Sequence, residues 1–302
     1  MSLLEVSGLT KRFGTSAAVD GLSFRIAKGR CLALLGPNGA GKTTTLKMLS
    51  GLLEPSSGSI RFIDGERADI RESIGYLPQY PAFYNWMSGR EFLSFTAQLA
   101  RISGKEAASR TEELLVRVGL KDAAKRKIGG YSGGMKQRLG LAQAVIHRPR
   151  LLILDEPVSA LDPQGRREVL DLLAEIKKET TILFSTHVLH DVEEISDDVI
   201  IMERGRIIVE GDLQQIMRDR QNPQITLRVG RASREWARGL HSRPYVQAFE
   251  ASLDERITLQ VTELSVARRS LLQEIAELGI EVESFEVGRT SLEDVFMKAV
   301  KS

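Results

Sequence analysis

The fold of this chain is decided by one stretch near its beginning, which reads Cys31-Leu32-Ala33-Leu34-Leu35-Gly36-Pro37-Asn38-Gly39-Ala40-Gly41-Lys42-Thr43-Thr44. Its opening run, residues 31–35, is apolar throughout, which is typical of a strand buried on both faces of a parallel sheet. Residues 36–43 fit the pattern G-x-x-x-x-G-K-[ST], and Leu46, Met48 and Leu49 then begin a helical pattern. Strand, glycine-rich loop and helix in this order predict a loop that binds phosphate.

Each residue type in this loop has a chemical use. Glycines let the backbone wrap closely around an anion, and a helix N-terminus directs N–H groups toward its charge. The Lys42 ammonium group can reach the β- and γ-phosphates of a nucleotide, and the Thr43 hydroxyl group can bind Mg²⁺. The alternative, an ordinary glycine-rich turn, does not require this lysine and threonine after a strand. The residues expected to bind nucleotide are Gly36, Pro37, Asn38, Gly39, Ala40, Gly41, Lys42, Thr43 and Thr44.

Two carboxylates follow a second apolar run at residues 151–154. Asp155 can hold Mg²⁺ directly or through water, and Glu156 can act as the general base toward an attacking water. Because adjacent side chains on a strand point to opposite sides, we expect the two acids to face different groups. Alone, the pair fits the solvated end of a strand equally well; beside a phosphate loop, it predicts hydrolysis.

Length and composition bound the remaining possibilities. The chain has 302 residues, enough for one or two domains, since single cores stop growing at roughly 250–300 residues. Its 42 Lys+Arg nearly balance 40 Asp+Glu, which gives no support for a nucleic-acid partner. Cys31 is the one cysteine, so no intramolecular disulfide can form, as suits a reducing cytosol. Without a signal peptide or an apolar run of about 18 residues, we expect a soluble chain that another polypeptide would hold at any membrane.

Residues 1–220 are predicted to form one α/β nucleotide-binding unit, and residues 222–302 a second, α+β domain. In the first unit we expect early antiparallel strands, a buried parallel sheet, and an inserted helical subdomain at about residues 80–150. The predicted strands are 3–6, 22–26, 31–35, 151–154 and 181–184. In the second domain the order strand-helix-strand-strand-helix-strand matches a ferredoxin-like layout, before a last helix. The predicted elements there are strands 225–229, 245–250, 257–261 and 280–287 and helices 233–240, 264–278 and 292–300.

More selective segments accompany the loop and the acidic pair. Tyr131-Ser132-Gly133-Gly134-Met135 precedes an apolar helical pattern, so Ser132 fits an N-cap and the two glycines permit close approach to an anion. Gln79 stands before the helical insertion, and His187 follows the third buried strand in Phe184-Ser185-Thr186-His187. Two further segments are Ser159-Ala160-Leu161-Asp162 and Lys11-Arg12-Phe13-Gly14.

With these segments in order, residues 1–220 resemble the ATPase subunits of ATP-binding cassette (ABC) transporters, which have a P-loop cassette with an antiparallel β subdomain and an inserted helical subdomain. The resemblance implies that Ser132, Gly133 and Gly134 form the signature element, which contacts the γ-phosphate bound by the opposite subunit. It implies that Gln79 binds Mg²⁺ or positions water, that His187 contacts the γ-phosphate, and that residues 159–162 meet the partner subunit. Phe13 would stack on adenine, although a packed core aromatic is the alternative. Tyr131 replaces the usual leucine and Met135 the usual glutamine.

The resemblance also implies a biological setting. Residues 222–302, which include Thr290-Ser291-Leu292-Glu293-Asp294-Val295-Phe296, resemble the C-terminal extension of ABC-2-like exporter ATPases of the drug-resistance and NosF types. We therefore expect ATP and Mg²⁺ as ligands, an ATP-dependent dimer of two copies, and a separate membrane permease, with the chain on the cytoplasmic face of a prokaryotic membrane. The alternatives are a soluble ABC ATPase of translation or DNA repair and a non-hydrolysing regulator; one cassette without a coiled-coil insert disfavours the former, and Glu156 with His187 disfavours the latter.

Overall fold

The computed structural model describes residues 1–63, 70–159, 161–219, 223–230, 233–251 and 256–288, together with residues 292 and 296. The chain forms two compact units, Met1–Leu213 and Gln214–Ser302. The predicted boundary at residues 220–222 and most of the predicted helix 292–300 lie outside the described residues.

The first unit contains two sheets. Its strands are β1 (Ser2–Phe13), β2 (Ser16–Ala27), β3 (Cys31–Leu35), β4 (Ser57–Phe62), β5 (Ile74–Leu77), β6 (Leu151–Asp155), β7 (Thr181–Thr186), β8 (Asp198–Glu203) and β9 (Arg206–Asp212). One sheet has the order β2-β1-β4 and is antiparallel; the other has the order β5-β6-β7-β3-β8-β9. Neighbours from β5 to β8 are parallel, and β9 returns antiparallel to β8.

The three strands predicted from apolar runs, β3, β6 and β7, are confirmed at the centre of the larger sheet. Each is buried along its whole length, as expected for strands covered on both faces. The early antiparallel strands are also confirmed, but they are longer than predicted because β1 and β2 continue to a hairpin turn after Phe13. β4, β5, β8 and β9 were not predicted, although residues 199–202 of β8 form a short buried apolar run like those of β3, β6 and β7.

The α-helices among the first unit's described residues are α1 (Lys42–Leu49), α2 (Gly89–Leu99), α3 (Gly104–Arg117), α4 (Gly133–Val145), α5 (Pro163–Ile176) and α6 (Leu189–Ile195). α2, α3 and α4 lie between β5 and β6 in the chain and contact one another. α2 begins with a capping box, in which the Ser88 hydroxyl oxygen accepts from the Glu91 N–H and the Glu91 carboxylate accepts from the Ser88 N–H. A core cluster joins the two sheets through Leu4, Val6, Leu34, Leu46 and Leu49.

The second unit contains α7 (Leu213–Asp219), which begins at the end of the first unit, followed by β10 (Gln224–Val229), α8 (Arg234–Gly239), β11 (Val246–Ala251), β12 (Arg256–Val261), α9 (Leu264–Leu278) and β13 (Val282–Gly288). Its four strands pair antiparallel in the order β11-β12-β10-β13. This is the ferredoxin-like order, in which two strand-helix-strand halves interleave. The predicted layout is confirmed, and α9 has the predicted bounds.

Candidate active site

The candidate site lies where the carboxyl ends of four neighbouring strands meet. In the sheet register Leu77 lies opposite Leu154, Asp155 opposite Ser185, and Thr186 opposite Leu35. The segments that follow these residues therefore emerge at one edge, as ligand sites do in open parallel sheets. This register gathers at one edge the phosphate loop (residues 36–44), Glu156, His187 and Gln79.

The phosphate loop is folded so closely that two of its glycines admit no side chain. A Cβ on Gly36 would lie 2.4 Å from the backbone oxygen of Met202. A Cβ on Gly41 would lie 2.5 Å from the oxygen of Ala18, and Gly41 has φ +99°, a conformation that favours glycine. Helix α1 begins immediately afterwards at Lys42, so its first N–H groups face the loop.

Lys42 is the buried cation of this loop. Its Nζ donates to the carbonyl oxygens of Gly36 at 2.8 Å and Pro37 at 3.1 Å, and lies 3.9 Å from a Glu156 carboxylate oxygen. Burial lowers the pKa of Lys42, and the nearby carboxylates of Glu156 and Asp155 act in the opposite direction. The ammonium group therefore stands where a polyphosphate could replace carbonyl oxygens as its partner.

Asp155 ends β6 with 2% of its surface exposed. Its Oδ1 accepts a hydrogen bond from Thr43 Oγ1 at 3.1 Å and from Ser185 Oγ at 2.7 Å. A carboxylate and a hydroxyl group that meet in this way offer the hard oxygen ligands that Mg²⁺ prefers. Among the described residues, no group of three His, Cys, Asp or Glu side chains could hold a metal ion; Mg²⁺ needs none, since it binds through one or two carboxylates, water and phosphate.

Glu156 lies just past the end of β6, and its direction is not set by strand pleating as we expected. Its φ is +45°, a left-handed conformation uncommon for a residue with a side chain. Its backbone N–H donates to Ser185 Oγ at 3.0 Å. The carboxylates of Asp155 and Glu156 both approach the start of α1: Asp155 contacts Thr43, and Glu156 lies near Lys42. Strain of this kind is stored where the surrounding structure imposes it.

The Glu156 carboxylate, which is 10% exposed, is surrounded by the polar side chains of Lys42, Gln79 and His187. Gln79 Nε2 donates to Oε2 at 3.1 Å, and His187 Nδ1 lies 3.2 Å from Oε1. The structure thus places Gln79 and His187 together with Glu156. Gln79 and Glu156 also line a cavity of about 160 Å³ with Gly133 and Leu161.

The signature segment begins α4, as the sequence predicted for its cap. Ser132 is the N-cap, and its Oγ accepts from the Met135 N–H at 3.3 Å. A Cβ on Gly133 would meet nothing within 4 Å, so open space borders this helix start. No hydrogen bond or ion pair in the described part of the chain joins residues 132–134 to the phosphate loop. Gly133 instead borders the cavity that Gln79 and Glu156 also line.

The two departures in this segment have structural accounts. Tyr131 is buried, donates from its hydroxyl group to the Ala123 oxygen at 2.8 Å, and fills the space beside Gly89. Met135 receives a contact from Arg126 at its sulfur at 3.1 Å. Tyr131 is therefore a packing residue of the helical insertion.

Two further predicted segments lie at the surface. Phe13 is 54% exposed, which excludes the core alternative, and Lys11 stands over its ring at 5.4 Å. Asp162 is the N-cap of α5, accepting from the Gly165 N–H at 3.1 Å. Ala160, within the same segment, lies outside the described residues.

Sequence reasoning missed three polar residues around this site. Ser185 bonds both Asp155 and the Glu156 backbone, and Thr186 and Asp191 form a buried pair after it. The available signal was two hydroxyl residues closing an otherwise apolar strand. That signal does not identify their partners, which come from other segments of the chain.

The fold and this site define a class, the ATP-binding cassette ATPases. A family model described as ABC transporter matches residues 19–159, and one described as ATP-binding protein DrrA1-3-like, C-terminal domain, matches residues 211–300. A Bacillus subtilis (strain 168) relative named as an uncharacterized ABC transporter ATP-binding protein, YxlF, is 49% identical over 298 residues, covering 99% of each chain. The daunorubicin resistance ATP-binding protein DrrA3 of Streptomyces coeruleorubidus is 34% identical over 300 residues, covering 97% of this chain and 94% of that one.

A solved structure titled as the ATP binding subunit of an ABC transporter superposes with a TM-score of 0.65 at 33% identity, covering 72% of this chain and 93% of the other. The chain therefore belongs to the family of ABC transporter ATP-binding proteins, and it is a nucleotide-binding ATPase subunit with a DrrA1-3-like C-terminal domain. No helix among the described residues has the length and apolar character needed to cross a bilayer.

Proposed function

We propose that two copies of this chain close around two ATP molecules and that their opening and closing drives a separate membrane permease, in the direction of export. In this proposal residues 1–220 carry out ATP binding and hydrolysis, and residues 222–302 are an accessory domain. The observation that carries the proposal is that, in the described part of the chain, no hydrogen bond or ion pair joins Ser132, Gly133 or Gly134 to the phosphate loop, while open space borders Gly133.

Within one site, Thr43 and Asp155 would hold Mg²⁺, with Gln79 as a further oxygen ligand or a ligand of its water. The fit rests on Thr43 and Asp155, whose oxygen atoms are already 3.1 Å apart, with the Asp155 carboxylate buried. A bound Mg²⁺ would supply charge neutralisation at the β- and γ-phosphates. Lys42, released from the Gly36 and Pro37 oxygens, would bind the same phosphates.

Hydrolysis then requires one water and one base. The water oxygen bonds to the γ-phosphorus as the bond to the β,γ-bridging oxygen breaks, and ADP leaves with that electron pair. Glu156 takes a proton from the water, and Gln79 and His187 hold the carboxylate and the attacking geometry. In this proposal the His187 ring would also donate to the γ-phosphate. The products are ADP and inorganic phosphate, whose release removes the contacts that hold the two chains together.

In the proposed dimer, the signature segment of each chain completes the site of the other chain. Each site would combine the phosphate loop, Asp155, Glu156 and His187 of one chain with residues 132–134 of the other. A two-fold axis then makes two equal sites. The start of α4 is suited to the γ-phosphate because its first N–H groups lack helical partners and its glycines allow close approach.

Mixing two inactive variants tests the composite site. Lys42→Ala spoils the phosphate loop but keeps the signature, whereas Ser132→Arg spoils the signature but keeps the loop. Each variant alone should be inactive; mixed chains should regain ATPase activity, because each hybrid pair contains one intact site. ATPase activity in Ser132→Arg alone would contradict the composite site. So would an inactive mixture in which the two variants still associate with each other.

An exposed aromatic surface supports the permease partner. Five side chains after Gln79 are exposed: Tyr80, Tyr84, Trp86, Phe95 and Leu99. Beside them, Leu99 and Tyr76 border a groove of about 650 Å³. Clustered exposed apolar side chains can mark a binding site, and the segment that carries them begins directly after Gln79, so it would connect nucleotide occupancy to the partner.

Affinity purification from detergent-solubilised membranes checks the partner. Wild type should retain a polytopic membrane protein and a Trp86→Ser/Tyr84→Ser variant should lose it, with ATPase activity preserved in both. Recovery of ribosomes or DNA instead would favour a soluble ABC ATPase. In this proposal the chain binds that membrane protein at the cytoplasmic face of a prokaryotic membrane. The daunorubicin resistance relative supports export as the direction.

A further inference from the structure

The side chain of His187 makes few contacts that would fix its orientation. It is 44% exposed, and among the described residues its one hydrogen bond joins Nδ1 to Glu156 Oε1 at 3.2 Å. An exposed ring with one partner points where its backbone directs it. The residues on either side of it, Thr186 and Val188, therefore decide whether it reaches the γ-phosphate.

Thr186 fixes that backbone from three directions. It is 3% exposed and ends β7, and its carbonyl oxygen accepts the N–H of Gly36, the first residue of the phosphate loop, at 3.4 Å. Its hydroxyl oxygen accepts the N–H of Val188 at 3.0 Å and donates its proton to Asp191 Oδ2 at 3.1 Å. The turn that carries His187 is thus closed by one hydroxyl group.

Asp191 determines which way this hydroxyl group points. It is fully buried, and its other oxygen, Oδ1, accepts two hydrogen bonds from the Arg166 guanidinium group, one of them at 2.9 Å. A carboxylate can only accept, so the Thr186 proton must point toward Asp191 and leave a lone pair for Val188. Arg166 in turn stands in the first turn of α5, where its N–H bonds the Asp162 oxygen at 2.9 Å.

We infer that Arg166, Asp191 and Thr186 form a positioning relay that holds His187 for the reaction. The inference rests on the proposed role of His187. None of the three touches the reacting atoms; Thr186 and Asp191 act through the turn, and Arg166 acts by fixing the Asp191 carboxylate. A buried carboxylate with a charged partner is otherwise costly, so a purely structural site would be served as well by apolar residues.

A second ion pair between the same helices supplies a matched control. Arg167 of α5 lies 2.7 Å from Glu194 of α6, and Arg167 is 65% exposed. Neither of these residues forms a hydrogen bond or ion pair with Thr186 or Val188 in the described part of the chain. If bracing α5 against α6 were the whole role of Arg166 and Asp191, Glu194→Gln would affect turnover in the same way.

The test measures kcat and KM for ATP in the full chain, with and without His187→Ala. Thr186→Val removes the hydroxyl group at constant shape, and Thr186→Ser restores it. We expect Thr186→Val and Asp191→Asn to lower kcat by about tenfold or more with KM nearly unchanged, since small misplacements cost rates of this order. Thr186→Ser and Glu194→Gln should stay within about twofold of wild type. In the His187→Ala background, Thr186→Val should add less than about twofold.

Two results overturn the relay while leaving the proposed function intact. One is a slow His187→Ala enzyme in which Thr186→Val lowers kcat by the same further factor as in wild type. The other is Thr186→Val with the kcat of wild type. If Asp191→Asn fails to fold, as its melting temperature would reveal, Thr186→Val and Thr186→Ser decide the matter. A His187→Ala enzyme as fast as wild type would instead refute the role of His187, and the relay with it.

Discussion

Replacing Glu156 by glutamine separates ATP binding from ATP hydrolysis most sharply. The side chain keeps its size, so Gln79 and His187 still face an amide at the same position, 3.1 and 3.2 Å from the original oxygens. The amide cannot take a proton from water. Loss of a general base costs about 10²- to 10⁴-fold in rate, or about 3–5 kcal/mol of barrier at 1.36 kcal/mol for each factor of ten.

Binding should not weaken in the same variant. Glu156 Oε1 lies 3.9 Å from Lys42 Nζ, so its negative charge competes with phosphate for that ammonium group. At such a distance the gross attraction between unit charges is about 4 kcal/mol near a protein surface. Removing the charge frees Lys42 for ATP, and we expect Glu156→Gln to bind ATP at least as tightly as wild type.

The assay combines single-turnover phosphate release, a binding titration with ATP, and size exclusion with ATP and Mg²⁺. The expected outcome is binding without turnover, together with a dimer that persists on the column. Glu156→Asp is the control, because it keeps the base and moves it by one methylene group. Turnover within about tenfold of wild type would remove Glu156 from the role of base; weakened ATP binding would refute the electrostatic argument.

Three further changes test other parts of the site and fold. Since burial lowers the pKa of Lys42, this residue loses its charge at a lower pH than an exposed lysine does. ATP affinity should therefore fall as the pH rises through that lowered pKa. In a fluorescent-nucleotide titration, Lys42→Met should bind ATP weakly and without this alkaline dependence. Thr43→Val removes one of the two oxygen atoms, 3.1 Å apart, that are proposed to bind Mg²⁺. The Mg²⁺ concentration that supports half-maximal hydrolysis should therefore rise, and chelation of Mg²⁺ by EDTA should stop wild-type turnover. Equal Mg²⁺ dependence in both proteins would contradict the assignment. Gly89→Ala would bring a Cβ to 2.4 Å from the Tyr131 hydroxyl oxygen and should lower the free energy of unfolding by about 1–3 kcal/mol. In a Tyr131→Leu background, Gly89→Ala should lower the free energy of unfolding by less. An equal loss in both backgrounds, measured by urea denaturation, would refute the contact.

The segments that carry chemistry were predictable because each is local. A run of apolar residues such as 31–35 must be buried, and the glycines and the lysine after it have few uses other than phosphate binding. Ser132 was predicted as an N-cap because capping depends on the next three residues alone. The ferredoxin-like order of the second unit follows in the same way from the alternation of its strands and helices.

What the tertiary structure decided is which of these segments meet. Strand order is not written in the sequence, yet it places Gln79, Glu156, His187 and the phosphate loop at one edge of one sheet. The left-handed turn at Glu156 overrode the expected alternation of side chains, because the strand ends one residue earlier and Ser185 holds the Glu156 N–H.

The same holds for contacts between residues far apart in the chain. Tyr131 is explained by Gly89 and Ala123, and His187 is tied to Arg166 through two residues that no motif singles out. The sequence alone determined the chemistry that each segment can perform, because that chemistry depends on side chains and local backbone. Only the folded chain determined which side chains act together, because long-range pairing depends on how the helices and strands pack.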